Sequence, residues 1–271
     1  MEIGVFTKIW NGLDLDNIFE IMVDNDIFYT QFNMSCVGEK TIPDKIDYDI
    51  LNYIEKCCNK SNIKLSSISG TFNIILEDND YFLRFRNLVR IAKLLQIPCI
   101  TICTGTMNEK SMWESDSRNS SGEAWERMLI AVHNILKIAS EEGIIIGIEP
   151  EVTNIISNAF LARKVLDYFN TEYLKIVMDG ANLLPNTNLT EQEITLSDAF
   201  NLLGKDICIA HGKDYSHDGN FVAAGDGILD YSIYLKLLNE YHYDGPLILH
   251  QILPQQIYKS IHHINRIMNN L

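Results

Sequence analysis

Four short stretches in the second half of the chain each end in side chains that bind cations or move protons. "IIIGIEPE" (144–151) closes on Glu149 and Glu151, and "KIVMDG" (175–180) on Asp179, with Asn182 just beyond it in "DGAN". "ICIAHGK" (207–213) closes on His211 and Lys213 with Asp214 next, and "PLILHQ" (246–251) on His250 and Gln251. An apolar run bound for a core does not finish in two carboxylates without a partner for them, because an unpaired buried charge is costly. Two carboxylates and one or two imidazoles converging on one point are good ligands for Mn²⁺, Zn²⁺, Co²⁺ or Fe²⁺. Mg²⁺ would ask for more oxygen and water ligands. Each residue alone has an ordinary explanation: a Glu before Pro in a rim salt bridge, an Asp before Gly in a turn, a hydrogen-bonded core His, a Lys neutralising its neighbours. Their joint occurrence at successive strand ends points to a metal or polar catalytic site.

The elements that must position these residues follow from periodicity. Short β-branched runs at 2–6, 27–33, 63–69, 98–104, 144–151, 175–180, 207–213 and 246–251 read as strands. Helical patterns follow at 14–25, 46–60, 79–96, 121–142, 158–170, 191–203, 230–241 and 254–270. Asp14 is placed to cap the first helix, and Gly143 to stop the fourth. Near-continuous apolar strands joined by helices imply a parallel sheet covered on both faces. Eight such units in 271 residues fit one closed (β/α)8 barrel spanning 1–271. An open doubly wound sheet lacks its G-x-G-x-x-G after the first strand. In such a barrel the strand ends gather at one face. Alternation puts 145, 147, 149 and 151 on one side of strand five, and the small Gly147 makes that side the crowded interior. The longest irregular stretch, 104–120 ("TGTMNEKSMWESDSRNS"), follows strand four and reads as a lid or substrate loop.

Composition narrows the partners. With 46% hydrophobic and 21% charged residues the chain reads as an ordinary soluble globular protein. A net charge of −14 repels a phosphate backbone, so nucleic acid is a poor partner. The chain shows neither a signal-peptide pattern nor an apolar run of about 20 residues, so a cytoplasmic protein without a membrane span is expected. Six scattered cysteines read as reduced, buried thiols. Cys99 and Cys103 share a strand face but lack the further ligands of a zinc site. A small molecule is the expected partner, and a homo-oligomer stays open.

The order "GIEP", "MDGAN", "AHGKD", "GPLILH", together with "VAAGDGILDY" (222–231), resembles the sugar phosphate isomerase/epimerase family, the xylose-isomerase-like TIM barrels that include endonuclease IV relatives. "TGTMNEKSMW" with "EAWERM" looks like one sub-branch. The resemblance covers the whole chain and implies an α/β (β/α)8 TIM barrel holding one divalent metal (Mn, Zn, Co or Mg). Glu149, Asp179 and His211 match three of its ligands. The fourth departs: His250 stands where the family has Glu, which keeps a ligand but breaks the pair of carboxylates that family epimerases use as acid and base. Endonuclease IV relatives need a histidine-rich trinuclear site, whereas strands two to four here offer Gln31, Ser69 and Thr104.

The implied chemistry is proton removal beside a carbonyl through an enediolate, by a metal-dependent isomerase or epimerase of a sugar or sugar phosphate. Glu149, Glu151, Lys213 and His250 are the catalytic candidates. Glu151 is the first choice of base, and Lys213 polarises substrate with a pKa that burial would lower. Asn182, Trp113, Thr104, Asp214 and Gln251 are candidate substrate contacts. "AAGDG" (223–227) offers amides for a phosphate or hydroxyl, or is a plain tight loop. The alternatives are a metal-dependent polyol or cyclitol dehydratase, a Lys213 Schiff-base aldolase without metal, and a non-catalytic sugar-binding barrel.

Overall fold

The computed structural model describes residues 1–76, 79–184 and 189–271. Eight parallel strands form a closed barrel: β1 (Ile3–Phe6), β2 (Tyr29–Phe32), β3 (Lys64–Ser69), β4 (Cys99–Cys103), β5 (Ile145–Glu149), β6 (Leu174–Asp179), β7 (Ile207–Gly212) and β10 (Leu247–Leu249). Sequential neighbours pair around the ring, and β1 closes it by pairing with β10 in the register Ile3–Leu247, Gly4–Ile248, Val5–Leu249. The two remaining strands, β8 (Asp214–Tyr215) and β9 (Phe221–Val222), make a small antiparallel hairpin beyond β7. All eight expected strands and helices are present, with ends within a few residues of the expectation.

The helices are α1 (Leu15–Asp24), α2 (Tyr48–Ser61), α3 (Asn79–Leu94), α4 (Gly122–Glu142), α5 (Ala159–Phe169), α6 (Gln192–Leu203), α7 (Tyr231–Glu240) and α8 (Ile257–Met268). The starts of α1, α2, α4, α5 and α7 are set by side-chain oxygens that accept otherwise orphaned amides. Asp14 accepts from Asn17 N–H, Ser121 from Ala124 N–H, and Asp230 from Ser232 and Ile233 N–H. Gly143 ends α4 at φ +74, where a Cβ would be strained. No helix among the described residues is long and apolar enough to cross a membrane.

Two cores result. The larger lies between strands and helices, with Ile18, Phe19, Leu88, Val132 and Phe200 fully buried. The smaller fills the barrel itself with Cys99, Val177, Ile209 and Ile248. Gly147 belongs to this inner layer: a Cβ there would lie 2.8 Å from Cys208 Sγ and 2.9 Å from Val177 Cγ2. The register shift between β6 and β7 pairs Ile176 with Ile207 and Val177 with Ile209, leaving Cys208 as an extra residue that reaches Cys99, Sγ to Sγ 3.5 Å. All six cysteines are free.

Candidate active site

Because side chains alternate along a strand, the inward positions one step above the inner apolar layer are Glu149, Asp179, His211 and His250. One ligand atom from each lies within 4.8 Å of the others, which makes this group a candidate metal centre. Tyr234 on α7 anchors the strands behind it, its hydroxyl lying 2.8 Å from Met178 O and 3.1 Å from His211 O. Tyr231 OH donates to Lys213 O at 2.8 Å. These buried phenols hold β6 and β7 at the height where their last residues meet.

The hydrogen bonds fix which atoms are available. His211 Nε2 lies 2.9 Å from Gln31 Oε1, an acceptor, so Nε2 carries the proton. Ser67 Oγ donates to the same Gln31 oxygen at 3.2 Å and holds it in place. In the neutral ring that leaves Nδ1 of His211 as a lone pair. It is buried, has no hydrogen-bond partner, and faces Glu149 Oε1 at 3.3 Å. A lone pair opposed to a carboxylate oxygen is repulsive unless a proton or a metal cation lies between them. His250 Nε2 meets Asp179 Oδ2 at 2.9 Å, and the two imidazole rings are 4.4 Å apart. Asp179 Oδ1 accepts from Ala181 N–H, leaving Oδ2 toward the cluster. Asn182 donates to Glu149 Oε1 at 3.1 Å and to Pro150 O at 2.9 Å. The donor set of two carboxylates and two imidazoles, with one imidazole nitrogen orphaned, fits a divalent ion such as Zn²⁺ or Mn²⁺.

Lys213 is the buried counter-charge. Its ammonium is 3.2 Å from Asp179 Oδ2, 3.7 Å from Glu151 Oε2 and 3.9 Å from Glu149 Oε1, with the Phe221 ring 4.0 Å away. Burial pulls its pKa down, but Asp179, Glu149 and Glu151 together hold it well above the ordinary lysine range. The expectation of a lowered pKa is therefore corrected. A cation shared among three carboxylates stays protonated and makes a poor Schiff-base nucleophile. For Asp179, burial pushes the carboxyl up, and Lys213 and His250 outweigh it, so the group stays ionised. Glu149 is likewise pushed up by burial and brought net downward by His211, Lys213 and His250. Glu151 behaves differently. Burial raises its pKa to about 7, Lys213 opposes, and Glu149 and Asp179 add to the rise. Two carboxylates two residues apart thus diverge, with the Glu149 carboxyl held below its ordinary range and the Glu151 carboxyl raised to about 7.

A pocket of about 650 Å³ opens over this cluster. Glu149, Glu151, His211, Lys213 and His250 line its floor, and Trp113 and Gln251 its wall. The loop carrying Trp113 is tied down by Asn154, which accepts from Gly105 N–H and donates to Met112 O. Three expected substrate contacts lie elsewhere. Thr104 is fully buried and its hydroxyl accepts from Ile156 N–H. Asp214 spends its carboxylate on the amides of Tyr215, Gly225 and Leu229. Asn182 is 3% exposed and bonded to Glu149 and Pro150. On the pocket wall stand residues the motifs do not single out, among them Phe6, Thr101, Cys103 and Met112. Inward alternation along β4 is the signal that selects Thr101 and Cys103 over Thr104.

Comparison with known proteins agrees with this fold. The family model described as "Xylose isomerase-like TIM barrel" matches residues 14–267. No curated protein sequence matches. Among solved structures, the chain is similar to apo 3-keto-D-glucoside 4-epimerase from E. coli (TM-score 0.74, 14% identity, 98% of this chain and 99% of that one). It is also similar to the probable 3-DHS dehydratase AsbF from Bacillus anthracis (0.75, 13%, 99% and 99%). A third is the IOLI protein with a bound zinc atom (0.71, 15%, 100% and 97%). At these identities the structural likenesses speak for the fold.

Proposed function

Because the chain belongs to the xylose isomerase-like TIM-barrel family, we propose that it is a metal-dependent isomerase or epimerase of a sugar or sugar phosphate, working through an enediolate. The observation that carries this is the buried, unpartnered Nδ1 of His211 facing Glu149, with Asp179 and His250 completing a four-residue cage. Glu149, Asp179, His211 and His250 would hold the ion. When bound, it supplies Lewis-acid stabilisation of negative charge on neighbouring substrate oxygens.

The chain's own residues do the rest. Glu151, on the pocket floor with a pKa near neutrality, accepts the proton from carbon and carries it for return. Lys213 keeps its positive charge beside Glu149, Glu151 and Asp179, and so stabilises negative charge that develops on the substrate. His250 stands across the floor as a ligand or as the second proton-transfer group. Gln31 fixes the ring and tautomer of His211. Trp113 and Gln251 border the bound sugar. A carboxyl facing an imidazole, rather than a second carboxyl, also favours keeping a second reading: a dehydratase that expels a hydroxyl from the same enolate.

The test is metal analysis of the purified protein beside Glu149→Gln and His250→Ala, followed by turnover of ketoses and polyols in D₂O. One equivalent of metal lost in both variants, with deuterium entering the carbon next to the carbonyl, is the expected result. Loss of water without deuterium in recovered sugar selects the dehydratase. Absence of bound metal after incubation with Mn²⁺, Zn²⁺ or Co²⁺ overturns both.

A further inference from the structure

Beneath the ionic layer, two thiols meet inside the barrel. Cys99 opens β4 and Cys208 sits near the start of β7, 109 residues further along, with Sγ to Sγ 3.5 Å. Two features of the backbone make the meeting possible. Gly147 on β5 leaves space between them, since a Cβ there would lie 2.8 Å from the Cys208 sulfur and 3.3 Å from the Cys99 sulfur. The extra residue in β7, at the register shift against β6, is Cys208 itself. Barrel layers are ordinarily filled by branched aliphatic side chains. Here two thiols share that place. They are not equivalent. Cys99 is 2% exposed, and its contact with Cys208 and its burial both raise its pKa, so it stays protonated. Cys208 is half-buried and donates to Ile176 O on β6 at 3.4 Å. An oxidant therefore reaches Cys208 first, with Cys99 in place to resolve the product.

We propose that Cys99 and Cys208 form a peroxide-responsive pair whose disulfide ties β4 to β7 and loosens the metal cluster above. In the first step the Cys208 sulfur attacks one oxygen of hydrogen peroxide. The O–O bond breaks, a sulfenic acid forms, and the thiol proton leaves with the other oxygen as water. In the second step the Cys99 sulfur attacks the sulfenic sulfur. The S–S bond forms, the S–O bond breaks, and a second water carries off the Cys99 proton. Two thiols are oxidised and one peroxide is reduced to two waters. The sulfurs must close from 3.5 Å to about 2.05 Å, which draws the β7 bulge and β4 together. His211 lies three residues beyond Cys208 on β7. β6, which loses the thiol donor to Ile176 O, ends on Asp179. Two of the four cage residues thus stand on strands that the bond disturbs, and a ligand set shifted from its geometry holds an ion less tightly. The disulfide is independent of the reading of the site, and its effect on the metal rests on that reading.

The experiment treats the folded full chain with hydrogen peroxide and follows it by intact mass and peptide mapping. The expected result is loss of two hydrogens with a Cys99–Cys208 cross-link, reversed by dithiothreitol and absent in Cys208→Ser. In Cys99→Ser the reaction stops at a sulfenic acid on Cys208, which dimedone traps. No cross-link, a cross-link formed only in urea, or one joining other cysteines overturns the inference. Calorimetry with Mn²⁺, after chelator treatment, then compares reduced with oxidised protein, and about tenfold weaker binding is expected after oxidation. Equal affinity in the two forms overturns the link to the metal cluster. Reduced protein that binds no Mn²⁺, while the cross-link still forms, sinks the reading of the site and leaves the disulfide standing.

Discussion

The two halves of the barrel interior are built from the same strands, two residues apart. Gly147, Val177, Ile209 and Ile248 lie in the lower half, packed with Cys99. The next inward positions on those strands are Glu149, Asp179, His211 and His250. Below, every side chain gives up water for an apolar neighbour, and the result is stability. Above, charged groups are equally deep: Glu149, Asp179 and His211 are 9%, 2% and 2% exposed. Their desolvation is answered by Lys213 and the two imidazoles in the free protein, and an imidazole nitrogen without a hydrogen-bond partner remains. The contrast teaches that this upper layer is arranged for something the chain itself does not supply. A layer selected for stability alone would continue the apolar filling, since well-packed hydrophobic residues match or exceed a buried ion pair.

The sharpest way to break the contrast is Lys213→Met. It removes the one cation between three carboxylates, and breaking a buried pair in this way costs about 3–5 kcal/mol. Urea unfolding of the metal-free variant should show that loss together with loss of turnover, and added Mn²⁺ should recover part of the stability. An unchanged midpoint would mean the lysine is not the counter-charge.

In the lower half, Ile209→Ala should cost roughly 2–5 kcal/mol from lost burial and the cavity it leaves. Metal stoichiometry should be unaffected. A variant that unfolds no more easily but loses its metal would show that the halves are not separable.

Gln31→Leu tests the join between the layers and the ring. It removes the acceptor that fixes the His211 tautomer, so metal affinity should fall about 10–100-fold, and the buried His211 and Ser67 donors left without a partner should cost about 1–3 kcal/mol of stability. Competition against a chelator reads this out, and an unaltered affinity would assign Gln31 to packing.

The smallest effect is expected farthest from the chemistry. Asp206 pairs with Lys175 at 2.8 Å and Arg163 at 2.9 Å, next to the start of β7. Burial raises its pKa, and the two cations outweigh this and hold it below its usual 3.8. A carboxyl with a lowered folded-state pKa adds stability that is present above 3.8 and lost as pH falls through the folded value. Partly exposed pairs are worth little, so Asp206→Asn should cost about 0.5 kcal/mol at neutral pH. The difference from wild type should vanish in acid. A difference that persists below pH 2 would point to lost packing instead.

Local pattern carried much of this architecture. Alternation along "IIIGIEPE" predicts that Glu149 and Glu151 face the same way as Gly147, and both do stand on the pocket floor. Strand-end position likewise selects Asp179, His211 and His250. Thr104 and Asp214 take the outward parity beside the inward Cys103 and Lys213, and Asn182 lies three residues past β6, so these three stand outside the pocket lining. Local reasoning also passes over Gln31, whose bond to His211 spans 180 residues.

What the sequence by itself determined is therefore periodic: which segments are strands, which side of each faces inward, and which residue types sit at their ends. These are properties of neighbours two to four residues apart, and the backbone's own geometry enforces them. What only the tertiary structure decided is electrostatic and long-range. Closure of the ring brings Lys213 within reach of three carboxylates and separates the proton affinities of Glu149 and Glu151. It also turns Asp214 into the occupant of its own loop. A charge responds to everything within several ångströms once water is excluded. No spacing along the chain records what the fold will place there.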